Sequence, residues 1–452
     1  MPGASEVTFR LGRAIAFVGI AFYAFVVVAL NVFYFLDYKN QKVVLRVALY
    51  PYIPDSDSDN YEKLRSTIID EFNSTHPSIR LDLRPIKPNE DYHYDLNKLA
   101  QWLTTRPENG GYDVVEVDTM LLGELYKRNI IAPWEAPGLD QTDWYQAGRS
   151  ASIINGRLYG VPHWLCGYFI LARDEKVAKA QSLDILIDTL QLNTKDIPNL
   201  AGNMVGQWRL PTLYVKAWSD ADESRTENID SAIRAILRRR SAPYVRNVLL
   251  SLRKFASQCR KHPEEPSQCL DGSFEEEPYK AESKFADHKV KAIFGYFESL
   301  HNVKKHNNVK KDTAEPIYIA PLPLGERNSH VFMVDAFVLN RKCGDKCQKA
   351  AVAFVKYIHA EETYEWIVMG KKGTSTVPRY LIPATKSAFT VDRIIEDKHY
   401  EAIKSIVKGA REYPRWYSEF NGVDRILLEE LEDGVRPVST GGRSDLESII
   451  DP

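Results

Sequence analysis

The stretch "VVLRVALYPYIPDSDSDNYEKLRSTIIDEFNSTHPSIRLDLR", residues 43–84, contains the patterns of a strand, a helix and a second strand in direct succession. Its opening "VVLRVALY" is almost wholly apolar, and prolines then interrupt it. Leu64, Ile68 and Phe72 recur at helical spacing, and every second residue of "SIRLDLR" is apolar, which is the period of a half-buried strand. The stretch therefore predicts a β-α-β unit with a right-handed connection.

The same alternation continues along the chain. "YDVVEVD" (residues 112–118) predicts a strand that ends in an acid, and "MLLGELYKRNII" predicts a helix after it. Residues 174–262 are predicted to be mostly helical. Strands are predicted again at "KAIFGYFES", "EPIYIAPLPL" and "HVFMVDAFVLN", followed by the helix "KAAVAFVKYI". Together these patterns predict an α/β chain with mainly parallel sheets.

The composition is that of a large globular protein without a nucleic-acid-binding surface. The chain has 452 residues, of which 44% are hydrophobic, and this is enough for two lobes. The formal net charge is −2, so no basic excess indicates nucleic acid. Basic runs occur at "LRRRSAPYVR" and "HNVKKHNNVKKD". We interpret both as solvated surfaces.

The N-terminal region contains an uncharged run, "AIAFVGIAFYAFVVVALNVFYFL", at residues 14–36. It is long enough to cross the roughly 30 Å hydrocarbon layer as a helix. Its end is bulky and lacks a small-x-small cleavage site, which favours an uncleaved signal anchor. We expect a short tail at 1–13 before this anchor and a stalk at 37–43 after it. The alternative is a cleaved signal and a secreted protein.

Four cysteines are spaced as two local pairs. Cys259 and Cys269 flank a proline-rich loop, and Cys343 and Cys347 flank "GDK". Both spacings predict disulfides, which persist in oxidising compartments, and the alternative is reduced thiols in a cytosolic protein. "NST" at Asn73 is an acceptor sequence for N-glycosylation. These features together predict an extracellular or lumenal globular part.

The fifth cysteine, Cys166, lies in "GVPHWLCGYF" and is a candidate reactive thiol. A cysteine nucleophile needs a base that helps it reach the thiolate. His163 is near in sequence, but three residues along a strand place two side chains on opposite faces. A carboxylate from another strand is an equally good candidate, and Glu298 follows "IFGYF". The alternative is that Cys166 is an ordinary buried core residue.

Several acids and aromatics lie where predicted strands end. Ligands of open α/β sheets bind at the carboxyl ends of strands, so these side chains are predicted to converge on one cleft. They are Tyr50, Tyr52, Asp118, Tyr296 and Glu298. Aromatic rings beside acids suit a flat, cationic heterocycle. The sequence has no metal-binding motif, no Walker A loop and no GxSxG elbow, so we expect neither a metal nor a cofactor.

Several segments within residues 44–384 resemble bacterial thiaminase I, a two-lobed enzyme of the type II periplasmic-binding-protein fold. The specific ones are "NGRLYGVPHWLC" and "AIFGYFES". The weaker ones are "VALYPYIPD", "DVVEVDTMLL", "VFMVDAFVLN" and "PRYLIPA". The insertion "HPEEPSQC" and the "CGDKC" pair depart from the family, and the resemblance covers neither residues 14–36 nor the C-terminal tail.

The resemblance implies a catalytic role for two residues. The family's nucleophile falls on Cys166 and its activating glutamate on Glu298. Cleft residues of the family fall on Tyr50, Tyr52, Asp118, Tyr296 and Asp335, and we expect Trp164, beside the cysteine, in the same pocket. A further cleft tyrosine of the family is replaced here by Met333 or Val334.

The implied activity is cleavage of thiamine, with transfer of its pyrimidine to an organic nucleophile and without a cofactor. The alternative is a binding protein that captures thiamine or another small ligand without turnover, because this fold serves many binders. We expect lobe 1 to comprise residues 44–164 and 294–360, and lobe 2 residues 165–293 and 361–436. A flexible tail is expected at 437–452. The chain is expected to cross between the lobes near Trp164, Tyr296 and Ala360.

Overall fold

A computed structural model describes most of the chain beyond the N-terminal region. The described residues are Val26 and residues 42–50, 53–85, 95–135, 138–191, 197–206, 208–221, 231–238, 240–275, 277, 279–310, 315–373, 376–415 and 422–433. The predicted anchor at 14–36, apart from Val26, lies outside these residues, as do Tyr52 and the predicted tail. Within the described residues, no helix has the length and apolar character needed to span a membrane.

The predicted β-α-β unit is present at residues 43–83. Strand β1 (Val43–Ala48) pairs in parallel with β2 (Ile79–Leu83), from Val43 opposite Ile79 to Val47 opposite Leu83. Helix α1 (Glu62–Thr75) connects them and buries Leu64, Ile68 and Phe72, which the helical spacing predicted. Burial of each such side chain contributes about 1.5–3 kcal/mol, so this stripe attaches the helix to the sheet.

The first sheet has eight strands. Its main order is β13-β7-β12-β3-β1-β2, and β4 and β14 each pair with β12. The strands besides β1 and β2 are β3 (Val114–Asp118), β4 (Ile131–Ala132), β7 (Val161–Cys166), β12 (Val331–Asn340), β13 (Ile382–Pro383) and β14 (Arg411–Glu412). A short hairpin of β5 (Ile153–Ile154) and β6 (Arg157–Leu158) precedes β7.

The second sheet has four strands in the order β11-β8-β10-β9. They are β8 (Phe169–Ala172), β9 (Leu200–Ala201), β10 (Ala292–Gly295) and β11 (Tyr318–Pro321). Each sheet forms the centre of one α/β lobe.

Helices cover both sheets. Those of the first part of the chain are α2 (Leu96–Thr104), α3 (Leu122–Lys127), α4 (Gln146–Ser152), α5 (Glu175–Ala178), α6 (Leu183–Gln191), α7 (Arg209–Asp220), α8 (Ala232–Arg238) and α9 (Pro243–Ser257). Those that follow are α10 (Lys280–Ala286), α11 (Ser299–Lys310), α12 (Asp345–Ile358), α13 (Glu361–Met369), α14 (Asp392–Ile395), α15 (Lys398–Lys408) and α16 (Val423–Asp433).

The expectation of mainly parallel sheets is wrong, because both sheets are mixed. β12 runs antiparallel to β3 and to β7, and β8 runs antiparallel to β10 and to β11. The parallel pairs are β1 with β2, β1 with β3, β9 with β10, and β12 with β14. In both sheets, strand direction is set by pairing between distant segments, which local apolar patterns do not encode.

The chain changes sheet at two linkers of the central region. It leaves the first sheet between Cys166 and Phe169, close to the crossing expected near Trp164, and returns between Pro321 and Val331. β10 and β11 therefore lie in the second sheet and β13 in the first. The expected division at residues 294 and 361, with crossings near Tyr296 and Ala360, differs from this strand membership. Pairing between distant segments decides the membership, and strand-like patterns do not reveal it.

The structure joins the cysteines as their spacing predicts. Cys259 is bonded to Cys269, and Cys343 to Cys347. All five cysteines lie in the described part of the chain, and Cys166 is the one left with a free thiol.

Candidate active site

The free thiol of Cys166 lies between the two sheets. Cys166 is the last residue of β7, and its Sγ is 4.0 Å from Oε1 of Glu298. Glu298 occupies the turn between β10 of the second sheet and helix α11. The two residues are 132 positions apart in sequence, so only the fold brings the thiol and this carboxylate together.

Two buried aspartates lie on neighbouring strands close to this pair. Asp118 ends β3 and lies directly opposite Asp335 of β12, and the two residues are 2% and 6% exposed. One carboxylate oxygen of Asp118 accepts a hydrogen bond of 2.9 Å from the backbone N–H of Met120. The pairing of β3 with β12 therefore places two acids in one patch of the sheet.

The pairing of β7 with β12 places Cys166 on the same face of the sheet as these acids. Trp164 lies opposite Asp335, and Cys166 lies opposite Met333. Residues directly opposite each other share a face, as do residues two apart on one strand. The candidate site thus combines the thiol, an indole ring and the acid pair on one face. Met333, and not Val334, is the residue of β12 beside the thiol.

Burial changes the protonation of the site. It raises the pKa of the Cys166 thiol well above its ordinary value, and the carboxyls of Glu298, Asp335 and Asp118 raise this pKa further. Burial also raises the pKa of Glu298 from 4.5 to about 7, and Glu282 adds to that rise. The pKa of Asp335 is raised well above 3.8 by burial and by its neighbours Asp118, Glu116 and Glu298.

Tyrosines form the wall on the side of the second sheet. The hydroxyls of Tyr296 and Tyr168 are 3.3 Å apart, and their ring centroids are 5.0 Å apart. The Tyr168 hydroxyl is also 2.8 Å from Oγ1 of Thr212 on α7. Burial raises the pKa of Tyr296 well above 10, so the phenol stays protonated. This wall supplies the dry surroundings that raise the pKa of the carboxyl beside it.

The backbone of Tyr50 contacts Glu116, and Tyr52 lies outside the described residues. The Tyr50 side chain is buried, and its backbone N–H donates a hydrogen bond of 2.9 Å to Oε2 of Glu116. Asn73, the predicted glycosylation site, is on α1, where its Oδ1 accepts a hydrogen bond from the Leu81 N–H. Its glycosylation stays a prediction. Within the described residues, no group of histidines, cysteines and acids is arranged to hold a metal ion.

Two acids of this region were not predicted. Glu116 on β3 is fully buried, and its Oε1 is 2.6 Å from Nδ1 of His163. Glu282 on α10 accepts a hydrogen bond of 2.8 Å from the Ser299 hydroxyl, directly after Glu298. An acid inside the apolar strand pattern "VVEVD" was the available signal for Glu116, since a buried charge requires a partner. No sequence signal indicates Glu282.

Comparisons with known proteins identify similar sequences and similar folds. No family model matches the chain. Thiaminase-1 of Paenibacillus thiaminolyticus is 22% identical over 359 residues, which are 77% of this chain and 77% of that protein. Clostridium botulinum thiaminase I in complex with thiamin has a TM-score of 0.67 at 18% identity, covering 86% of this chain and 100% of the other. The GacH receptor of Streptomyces glaucescens has a TM-score of 0.60 at 16% identity, covering 88% and 95%.

These similarities support two of the expectations from the sequence, the resemblance to thiaminase I and the two-lobed fold. The chain resembles thiaminase I in sequence and in structure, as its segments indicated. The two-lobed α/β fold of the periplasmic-binding-protein type is confirmed. Because identity to every one of these proteins is low, the reaction has to be argued from the site itself.

Proposed function

We propose that this chain is a thiaminase-I-type transferase, which cleaves thiamine and passes the pyrimidine to an organic nucleophile. The observation that carries the proposal is the Cys166–Glu298 pair, with Sγ and Oε1 4.0 Å apart. A thiol with a raised pKa is unreactive alone, and a carboxyl with a pKa of about 7 is a far better base than an ordinary glutamate. The raised pKa of Glu298 therefore makes it a better acceptor for the proton of the Cys166 thiol.

Burial of the acids favours a cationic substrate. Asp118 and Asp335 lie opposite each other, and repulsion from Asp118 helps to raise the pKa of Asp335, so a bound positive charge would favour ionisation of both acids. The thiazolium ring of thiamine carries such a charge, and Trp164 and Tyr296 offer aromatic faces for flat rings. A neutral sugar such as maltose, which is bound in a solved structure of similar fold, brings no positive charge, and this favours thiamine as the ligand.

The proposed reaction proceeds in two displacement stages. Glu298 accepts the Cys166 proton, and the thiolate forms a carbon–sulfur bond to the electron-poor pyrimidine ring of thiamine. The carbon–nitrogen bond to the thiazolium breaks, and its electron pair leaves with the ring as a neutral thiazole. An amine, a pyridine or a thiol then bonds to the exocyclic carbon, the carbon–sulfur bond to the ring breaks, and the sulfur leaves as thiolate. An amine or a thiol releases its proton to solvent at this stage, whereas a pyridine remains in the product as a pyridinium. The proton held by Glu298 then returns to Cys166.

Mass spectrometry of the globular part after incubation with thiamine and aniline tests the activity. The expected result is an aniline–pyrimidine adduct together with the free thiazole. Saturable thiamine binding without the adduct would instead support a binding protein. Absence of both would contradict the assignment of thiamine as the ligand.

We also propose that the globular part lies outside the cytosol, attached to the membrane by residues 14–36. The uncharged run, the two disulfides and the "NST" sequence support this location. Protease is applied to sealed cells, which exposes the extracellular face, and to cells whose plasma membrane alone is permeabilised, which exposes the cytosolic face. Digestion of the globular part only when the cytosolic face is exposed would contradict the proposed topology. N-terminal sequencing of the mature protein distinguishes an uncleaved anchor from a cleaved signal, because cleavage would remove residues 14–36.

Glycosylation is tested with a variant that keeps the Asn73 side chain. Thr75→Ala removes the acceptor sequence and leaves the hydrogen bond of Asn73 to Leu81 in place. We expect a glycosidase-sensitive mass in the natural protein and none in this variant. An identical mass in both would exclude a glycan at Asn73.

A further inference from the structure

The strand that carries Cys166 contains one residue more than its partner strand. In the β7–β12 pairing, Pro162 lies opposite Ala336 and Trp164 lies opposite Asp335, so His163 has no partner of its own. This is a β-bulge, in which two residues of one strand oppose a single residue of the other. The irregularity lies three residues before the thiol.

The bulge changes which face the thiol occupies. In a regular strand, adjacent side chains point to opposite faces, and so do side chains three residues apart. Here the rings of His163 and Trp164, which are adjacent, have centroids only 4.0 Å apart. His163 bonds to Glu116, and Cys166 contacts Glu298 on the acid face. The extra residue therefore allows His163, Trp164 and Cys166 to face the same side.

A slip to regular pairing would reverse this arrangement. If His163 itself paired with Asp335, then Trp164 would lie opposite Val334, and Cys166 opposite Phe332. A shift of one residue moves every following side chain to the other face of the sheet. Val334 is fully buried on that other face, so the thiol would leave the acids and enter the core.

Glu116 is the group that holds the extra residue in place. Its Oε1 is 2.6 Å from Nδ1 of His163, and its Oε2 accepts the backbone N–H of Tyr50 at 2.9 Å. Both residues of the Glu116–His163 contact are at most 1% exposed. The backbone oxygen of His163 also accepts hydrogen bonds from the Tyr364 hydroxyl (3.1 Å) and from the Ala384 N–H (2.9 Å). A buried hydrogen bond of this length constrains the position of both side chains.

We propose that Glu116 is a positioning residue, which holds the His163 bulge and thereby keeps the Cys166 thiol on the face of Glu298, Asp118 and Asp335. The Glu116 carboxylate bonds to the His163 ring and the Tyr50 N–H, whereas the thiol is paired with Glu298. It acts through the register of β7. The inference deepens the proposed function, because it assigns the orientation of the proposed nucleophile.

Two variants that both lack the Glu116–His163 hydrogen bond distinguish an effect on the register of β7 from an effect on the stability of the fold. Glu116→Leu removes the partner of His163 and keeps the extra residue. Glu116→Leu combined with deletion of His163 also removes the pair, but makes β7 regular with Trp164 still opposite Asp335. The readout is the rate of Cys166 alkylation by iodoacetamide in folded protein, which needs no thiamine. Cys166 is the free thiol of the chain, so the label reports on it alone.

We expect Glu116→Leu to lower the alkylation rate at least tenfold, and the additional deletion to restore it to within about threefold of the unaltered protein. If Glu116→Leu does not fold whereas the combined variant does, this outcome also supports the proposal, because the protein then needs Glu116 only when the extra residue is present. Equal alkylation rates in the two variants would overturn the proposal. If neither folds, His163→Asn is decisive, because its side-chain amide N–H can replace Nδ1 as the donor to Oε1 of Glu116 and leaves Oε2 to accept the Tyr50 N–H. His163→Asn is then expected to keep the natural rate, and a tenfold loss would overturn the proposal.

Asp113→Asn is the matched control for loss of a buried acid on the same segment. Asp113 precedes β3 and accepts the Arg46 N–H, away from β7. The Asp113→Asn variant is expected to be less stable than the natural protein, with an unchanged rate of Cys166 alkylation. Because alkylation does not depend on turnover, a protein that fails to exchange thiamine but follows the alkylation pattern would contradict the proposed function and leave the role of Glu116 standing.

Discussion

Asp335 lies directly opposite Asp118 in the antiparallel pair of β12 and β3, and both carboxyls are almost fully buried. Burial and the neighbouring acids raise the pKa of Asp335 well above 3.8. The folded protein therefore holds a proton at Asp335 that the unfolded chain releases, and this contribution to stability is lost as the pH rises. Under the proposed function, a cationic ligand would offset the repulsion that the acid pair causes in the empty protein.

Asp335→Asn is expected to raise the melting temperature, because it removes this repulsion. The repulsion develops as Asp335 ionises in the folded protein, so the gain in stability is expected to be larger at pH 8 than at pH 5. Thiamine affinity is expected to fall at the same time. Thermal unfolding at pH 5 and pH 8 measures the first effect and calorimetric titration the second. Asp82→Asn, at an exposed acid of β2, is the control and is expected to change neither.

Glu298→Gln is expected to lower kcat/KM by about 10²–10⁴-fold, the usual loss for a general base. The natural protein is expected to lose activity as the pH falls through about 7, because Glu298 then becomes protonated. That acid limb is expected to be absent in the variant. A pH–rate profile of exchange provides the measurement, and an unchanged limb in the variant would assign the titration to another group.

Glu282→Gln is expected to shift the same limb without removing it. The Glu282 carboxyl raises the pKa of Glu298, so its neutralisation is expected to move the limb to lower pH. The hydrogen bond from the Ser299 hydroxyl can still be accepted by the amide oxygen. The pH–rate profiles of the two glutamine variants therefore distinguish the base from its neighbour.

Cys166→Ser is expected to abolish exchange and to change thiamine affinity less than about threefold, since the pocket walls remain. A serine hydroxyl is much harder to ionise than a thiol, and Glu298 cannot activate it to the same degree. Product analysis and equilibrium binding are the two measurements. Exchange at the natural rate in this variant would exclude covalent catalysis by Cys166.

Met333→Tyr is expected to alter substrate preference, because Met333 lies opposite Cys166 on the cleft face. A larger, polar side chain there narrows the space beside the sulfur, which changes the KM for thiamine and the relative rates of different nucleophiles. Val334→Tyr is the control. Val334 is fully buried on the other face, and overpacking is expected to destabilise the fold by about 1–3 kcal/mol or more. Equal effects of the two variants on substrate preference would contradict the assigned faces.

Removal of the Cys259–Cys269 disulfide by double alanine substitution is expected to lower the free energy of unfolding by about 2–3 kcal/mol. The bond closes a loop with a sequence separation of 10, against 4 for Cys343–Cys347, so the second pair is expected to contribute less. Chemical denaturation gives both values. Exchange activity is expected to survive in each variant, since neither pair supplies an atom to the site.

Local sequence patterns determined the elements of this protein and the chemical groups at their ends. The spacing of Leu64, Ile68 and Phe72 defined helix α1, because the helical period depends only on neighbouring residues. The intervals between cysteines defined two disulfides for the same reason. The resemblance of "NGRLYGVPHWLC" and "AIFGYFES" to thiaminase I indicated Cys166 and Glu298 as candidate catalytic residues.

The tertiary structure alone decided strand direction, register and protonation. β12 runs antiparallel to both of its long neighbours, and no local pattern encodes which distant strand it meets. The bulge at His163 depends on Glu116, which is 47 residues earlier in sequence. The pKa of Glu298 reaches about 7 only because the fold removes water from it. Orientation and proton affinity arise from contacts between distant segments, and therefore only the folded chain specifies them.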